Sequence, residues 1–110
     1  MVLSDDQALE RFLKFHPPKF MGEPDDCKTE SFIAEMEKIF EVLNYSDYQK
    51  VKYTSYRLEE SARHWWAVVN RRWKQSGTAY TRVNFLLEFS HKFVPQVVRD
   101  AREQEFTNLI

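Results

Sequence analysis

In every long segment of the chain, apolar residues recur at the three- and four-residue spacing of an amphipathic helix. The clearest stripe, in the second predicted helix, consists of Phe32, Ile33, Met36, Ile39, Phe40 and Leu43. Such spacing places all its members on one face of a helix, which then has to pack against other elements. No segment shows the sustained apolar–polar alternation of a half-buried strand. The pattern predicts an all-α fold, a compact bundle of about five to six helices.

Capping residues and helix breakers divide the chain into six predicted helices. The first, second, third and fifth begin at residues with short, oxygen-bearing side chains: Ser4, Asp25 or Asp26, Ser46 and Thr81. The two serines are each followed three positions later by a glutamine, which is the spacing of a capping box. The first helix is expected to end at about Phe15. The fourth helix is expected to end at Gly77.

Residues 16–26 form a predicted loop between the first two helices, since they contain three prolines and Gly22. Phe20 and Met21 in this loop are available to pack on the core. Pro95 has to interrupt or begin a helix because it has no backbone N–H to donate. The chain is therefore divided into a domain of residues 1–94 and a terminal helix of residues 95–110.

The apolar faces together predict one hydrophobic core. Its main members are Phe32, Met36, Ile39, Phe40, Leu58, Trp65, Trp66, Val69, Phe85, Phe89 and Phe93, joined by Leu13, Leu43 and Val51. Of the 110 residues, 43% are apolar and 15% aromatic, which suffices for one compact domain. Near the tryptophans, Arg71, Arg72 and Lys74 are offset from the apolar face. We interpret them as the solvated edge of a core helix, with weak, nonspecific RNA contact as the alternative.

The composition offers no basis for catalysis, cofactor binding or metal binding. The three histidines are far from one another, and there are only two glycines and one cysteine. A zinc site, a phosphate-binding glycine loop and a disulfide are therefore not expected. No apolar run is long enough to span a membrane, and the N-terminus does not resemble a signal peptide. The chain is expected to be a non-enzymatic, intracellular protein of the cytoplasm, with no membrane and no small-molecule substrate as partners.

Charge is distributed unevenly along the chain, although the formal net charge is only −1. Residues 1–47 have 11 acidic and 5 basic side chains, a balance of −6, and residues 48–102 have 4 acidic and 11 basic, a balance of +7. Two outcomes are equally open. Copies of the chain could associate through oppositely charged faces, or the two halves could neutralise each other within one fold.

Several motifs occur in a characteristic order. They are residues 15–22 (FHPPKFMG) with Asp25, residues 29–33 leading to 37–40, residues 50–58 with Ala62 and Trp65-Trp66, then Phe85, Phe89 and Phe93 with Pro95, and finally residues 99–101 and 105–109. In this order the chain resembles the capsid region of the gag polyprotein of gypsy-type LTR retrotransposons. Phe32 and Arg82 stand where that family often has Trp, and Asp26 where it often has Pro. Val83 is the candidate to replace the missing aromatic anchor at position 82.

The resemblance implies a capsid N-terminal-type domain that associates with itself to form a virus-like particle shell around the RNA of the element. Its partners would be other copies and other gag domains, with the terminal helix leading into a second capsid domain beyond this chain. For self-association we expect the acidic second helix, with Glu35, Glu37 and Glu41, to face Arg71 and Arg72 of a neighbour. The alternative is a host-adopted module that binds a partner peptide in a groove beside the proline loop.

Overall fold

The computed structural model describes residues 3–23 and 25–94, which contain five helices. The helices are α1 (Asp5–Leu13), α2 (Asp26–Val42), α3 (Asp47–Ser55), α4 (Glu60–Ser76) and α5 (Arg82–Phe93). Within these described ranges there is no strand, and the one extended pairing is a single bridge between Phe20 and Leu58. The predicted all-α bundle is confirmed. The predicted terminal helix of residues 95–110 lies outside the described residues.

The helix starts follow the predicted caps. The side chain of Ser4 accepts a hydrogen bond from the Gln7 backbone N–H at 3.2 Å, and the Gln7 side chain accepts one from the Ser4 N–H at 3.0 Å. The same reciprocal pair forms at the start of α3. Asp25, rather than Asp26, caps α2. These bonds satisfy backbone donors that have no partner inside the helix.

Helix α1 ends at Leu13, two residues before the predicted end at Phe15. The N–H groups of Phe15 and His16 bond to carbonyls three residues back, at 3.1 and 3.0 Å, which tightens the last turn. His16 then has a positive φ of 52°, and this turns the chain out of the helix.

The core contains nine of the eleven main residues expected there, together with Leu43 and Val51. The nine are Phe32, Met36, Ile39, Phe40, Leu58, Val69, Phe85, Phe89 and Phe93. Trp65 and Trp66 are half-buried and pack against this cluster. The expectation for Leu13 is wrong, since 41% of its surface is exposed. Helix α1 buries Ala8 and Phe12 instead, and Leu13 lies about 100° further around the helix.

Two tyrosines fasten α1 to the rest of the bundle. The Tyr45 hydroxyl donates to the carbonyl oxygen of Ala8 at 2.6 Å, and the Tyr53 hydroxyl donates to that of Asp5 at 3.3 Å. Between them, Phe12 stacks on Phe40 with ring centroids 5.5 Å apart. Burial raises the pKa of both tyrosine hydroxyls above the ordinary value, because the charged phenolate would lose its hydration.

These raised pKa values predict that the stability of the fold decreases in alkali. The unfolded chain releases the tyrosine protons at about pH 10, before the folded protein does, so their contribution is complete below that pH and is lost as the pH rises further. Thermal melts across this range are expected to show a falling midpoint. Tyr45→Phe is expected to lower the free energy of unfolding by about 1 kcal/mol at neutral pH, because a hydrogen bond is lost. The melting midpoint of this variant should also fall less steeply at alkaline pH than that of the parent. The exposed control Tyr56→Phe should leave neutral stability unchanged, and an equal loss in both variants would contradict the assignment.

The loop after α1 is held against the turn between α3 and α4. The Phe20 N–H donates to the Arg57 carbonyl and the Phe20 carbonyl accepts from the Glu59 N–H, both at 2.9 Å. The Arg57 guanidinium donates to the Pro17 carbonyl at 2.7 Å, and the Ser61 hydroxyl to the Met21 carbonyl at 3.0 Å. The loop is thus an ordered part of the bundle, and it delivers the Phe20 ring to the core.

Gly22 permits this close approach. Its φ is +87°, and a Cβ at this position would lie 2.3 Å from the Ser61 Oγ and 2.9 Å from the Ala62 backbone nitrogen. Gly77, which ends α4, has a similar φ of +75° but open space where its Cβ would be. Alanine substitutions at the two glycines therefore distinguish the free-energy cost of a left-handed backbone from that of a steric clash.

We expect Gly22→Ala to destabilise the protein by about 2–5 kcal/mol, because it combines backbone strain with overpacking. Gly77→Ala should cost only about 1–2 kcal/mol from the backbone strain. Urea unfolding followed by circular dichroism measures both. Equal losses in the two variants would mean that the loop moves away from α4 without penalty.

Candidate interaction surfaces

The three glutamates expected to form an acidic surface on α2 differ in their surroundings. Glu35 is exposed and lies 3.8 Å from the Lys38 ammonium. Glu41 is also exposed. Glu37 is half-buried, and its carboxylate accepts a hydrogen bond from the guanidinium of Arg82 on α5. Glu37 is therefore engaged within its own chain, which leaves Glu35 and Glu41 as the outward-facing members.

The pairing with Glu37 accommodates the charged side chain of Arg82, and Val83 does not replace the missing aromatic anchor. The Arg82 backbone N–H also donates to Asp47 Oδ2 at 3.4 Å. The expectation that Val83 takes the place of an aromatic anchor is wrong, because 64% of the Val83 surface is exposed. A charged residue is tolerated at position 82 because Glu37 neutralises it where α2 and α5 meet.

The three basic residues expected on α4 are not brought together. Arg72 forms an ion pair with Glu88 of α5 at 2.5 Å, whereas Lys74 lines a cleft on the side of α3. Arg71 is exposed, and within residues 3–23 and 25–94 it has no ion-pair partner. The predicted basic edge is therefore divided between two sides of α4.

Charge neutralisation within the fold accounts for part of the asymmetry between the two halves of the sequence. Lys52 lies 3.6 Å from Asp5, and Arg82 pairs with Glu37, so among the described residues two pairs connect the acidic half to the basic half. Such exposed pairs add little stability, typically ~0–1 kcal/mol each. Neutralisation within the fold is only partial, since Glu41 and Arg71 keep their charges on the surface.

The tryptophans of α4 pack mainly through edge-to-face contacts. The Trp65 ring lies 5.2 Å from that of Phe93, and Trp66 lies 5.4 Å from Trp73 and 5.5 Å from Phe85. Trp73 is only 2% exposed. The aromatic stripe is consistent with packing, although Trp65 and Trp66 remain partly accessible.

We expect Trp73→Ala to cost about 3–5 kcal/mol, since it leaves a cavity in the core. Trp66→Ala should cost less, about 1–3 kcal/mol, because part of the ring is already in water. Chemical denaturation of the two variants gives the comparison. A larger loss for Trp66→Ala would show that its ring is the main support of α4.

An open cleft of about 330 Å³ between α3 and α4 was not anticipated from the sequence. One wall has Tyr48, Lys52 and Tyr56, and the other has Trp66, Asn70 and Lys74. Each set follows four-residue spacing, so the first forms a stripe along α3 that ends at its C-cap, Tyr56, and the second a stripe along α4. That spacing is visible in the sequence, but only the packing shows that the two stripes face the same cleft. Tyr80, whose hydroxyl donates to Asn70, also lines it.

Neither a metal centre nor a transmembrane helix is found in the described part of the chain. No group of three or more His, Cys, Asp or Glu side chains there is placed to hold a metal ion. No described helix is long and apolar enough to cross a membrane. Cys27 is a free, exposed thiol.

Comparison with known proteins identifies the family. Residues 14–94 match the model for the N-terminal capsid-like domain of retrotransposon-derived protein PEG10. No curated protein and no solved structure matches the chain. The matched range includes the proline loop and helices α2 to α5, and thus most of the core. The expected retrotransposon gag capsid N-terminal-type domain is confirmed, and the chain belongs to this family of retrotransposon-derived capsid-like domains.

Proposed function

We propose that this domain associates with other copies of itself to build the shell of a virus-like particle around the RNA of a gypsy-type LTR retrotransposon. The observation that carries the proposal is the capsid-like family match across the proline loop and α2 to α5. A structural role of this kind acts through surfaces and needs no catalytic residues. The cytoplasm, where such particles would form, is the proposed location.

The outer faces of the bundle support self-association. On α5, Val83 and Leu87 lie one turn apart and are 64% and 65% exposed. Exposed apolar side chains at this spacing make a small stripe that a neighbouring copy would cover. Capsid lattices repeat each contact many times, so individual contacts need not be large.

Opposite charges on two helices suggest how neighbouring copies of the domain would be oriented. Glu35 and Glu41 project from α2, and Arg71 projects from α4. Within the described ranges, neither Glu41 nor Arg71 has an ion-pair partner in its own chain. A head-to-tail arrangement would bring the α2 glutamates of one copy toward the arginine of the next.

The alternative, a host-adopted module that grips a peptide beside the proline loop, is not supported by the geometry of that loop. Phe20 is 3% exposed and contacts Phe32, Phe89 and Phe93. Its backbone is held by the Arg57 and Glu59 hydrogen bonds described above. The loop thus packs Phe20 into the core instead of presenting it to a peptide, and the family match favours the capsid proposal, which we retain.

The test is light scattering with electron microscopy across protein concentration and salt. Glu41→Lys is expected to raise the concentration at which particles or oligomers appear several-fold, because an attractive contact becomes repulsive. Glu10→Lys, an equal charge change at an exposed position on α1, is the matched control. Glu37 is left intact, since its reversal would break the pair with Arg82.

Charge exchange provides the decisive comparison. Combining Glu41→Lys with Arg71→Glu should restore assembly if these residues meet across the interface. Assembly that is as weak in the double variant as in Glu41→Lys alone, or that is weakened equally by Glu10→Lys, would refute the proposed orientation. A parent chain that remains monomeric under every condition would refute self-association by this domain.

A further inference from the structure

The α3–α4 cleft, defined above by Tyr48, Lys52, Tyr56, Trp66, Lys74 and Tyr80, combines aromatic rings with ammonium groups. Tyr48 and Tyr56 are 55% and 47% exposed. Rings that only stabilise the core would be buried, as the neighbouring Tyr53 is at 1% exposure. The two exposed rings therefore offer flat apolar faces to a ligand from solution.

The positive charge of the cleft comes from both walls. Lys52 on α3 and Lys74 on α4 line it, and none of the residues lining it is acidic. Lys74 has no ion-pair partner within the described ranges. Lys52 lies 3.6 Å from Asp5, an exposed carboxylate outside the cleft lining, and such a pair is weak enough for another anion to compete with it.

Rings and charges alternate along the α3 wall. Tyr48, Lys52 and Tyr56 follow one another at four-residue intervals, which correspond to about 6 Å along a helix. The Lys52 ammonium lies 6.0 Å from the centre of the Tyr48 ring. A ligand that fits this wall has flat aromatic groups and negative charges that alternate at short distances.

We propose that the α3–α4 cleft binds single-stranded RNA, with bases stacked on Tyr48 and Tyr56 and backbone phosphates near Lys52 and Lys74. Stacking tolerates every base, so the contact is sequence-independent. An acidic peptide would satisfy the lysines but would make no stacking contact with the exposed faces of the two rings. Double-stranded RNA would present phosphates while its bases stay inside the helix. The cleft includes Lys74 of the predicted basic edge but not Arg72, which pairs with Glu88 on the side of α5.

The experiment is fluorescence anisotropy at low salt, with a labelled oligouridylate of about ten nucleotides and protein kept below the concentration at which it associates. The double variant Tyr48→Ala with Tyr56→Ala is expected to bind about tenfold more weakly. Tyr48→Phe with Tyr56→Phe should bind like the parent, because the stacking rings remain. Both positions are exposed, and circular dichroism melts verify that the variants fold.

Lysine variants test the phosphate contact. Lys74→Ala should weaken binding and reduce its salt dependence, whereas Lys38→Ala, which removes an exposed lysine from α2, should change neither. A duplex RNA of the same length is expected to bind clearly more weakly than the single strand. Equal binding of duplex and single strand, or undiminished binding by the double alanine variant, would overturn the proposal. Absence of oligouridylate binding by the parent at low salt would also overturn it.

Discussion

The packing of Phe20 is the interaction on which the arrangement of the bundle depends. Its ring lies 5.0–5.4 Å from those of Phe32, Phe89 and Phe93, so one loop residue joins α2 to α5. Its backbone is fixed by hydrogen bonds to the turn between α3 and α4. Four of the five helices are thereby positioned by a segment that is not helical. Gly22 makes this possible, since no other residue fits so close to α4 without strain.

The charged residues of the domain fall into two groups. One group forms ion pairs between helices, with Glu37 and Arg82 connecting α2 to α5, and Arg72 and Glu88 connecting α4 to α5. The other group remains on the surface. In the proposed capsid role, these surface charges would orient neighbouring copies.

Local features of the fold could be predicted from the sequence, and tertiary features could not. The capping boxes at Ser4 and Ser46 depend on residues three positions apart, so their spacing alone identifies them. The placement of Leu13 failed because a rotation of one residue around a short helix decides which side chain is buried. The ion-pair partner of Arg82 and the cleft between α3 and α4 depend on how separate helices pack against one another. Such packing cannot be inferred from the residue pattern of a single sequence.

The position of the Phe20 partners along the chain has a consequence for synthesis. Phe32 emerges from the ribosome shortly after Phe20, but Phe89 and Phe93 follow only when α5 is complete. Until then the Phe20 ring lacks two of these three aromatic partners. The nascent chain therefore remains incompletely folded until the last described helix is synthesised, and the exposed aromatic ring makes it prone to aggregate during that interval.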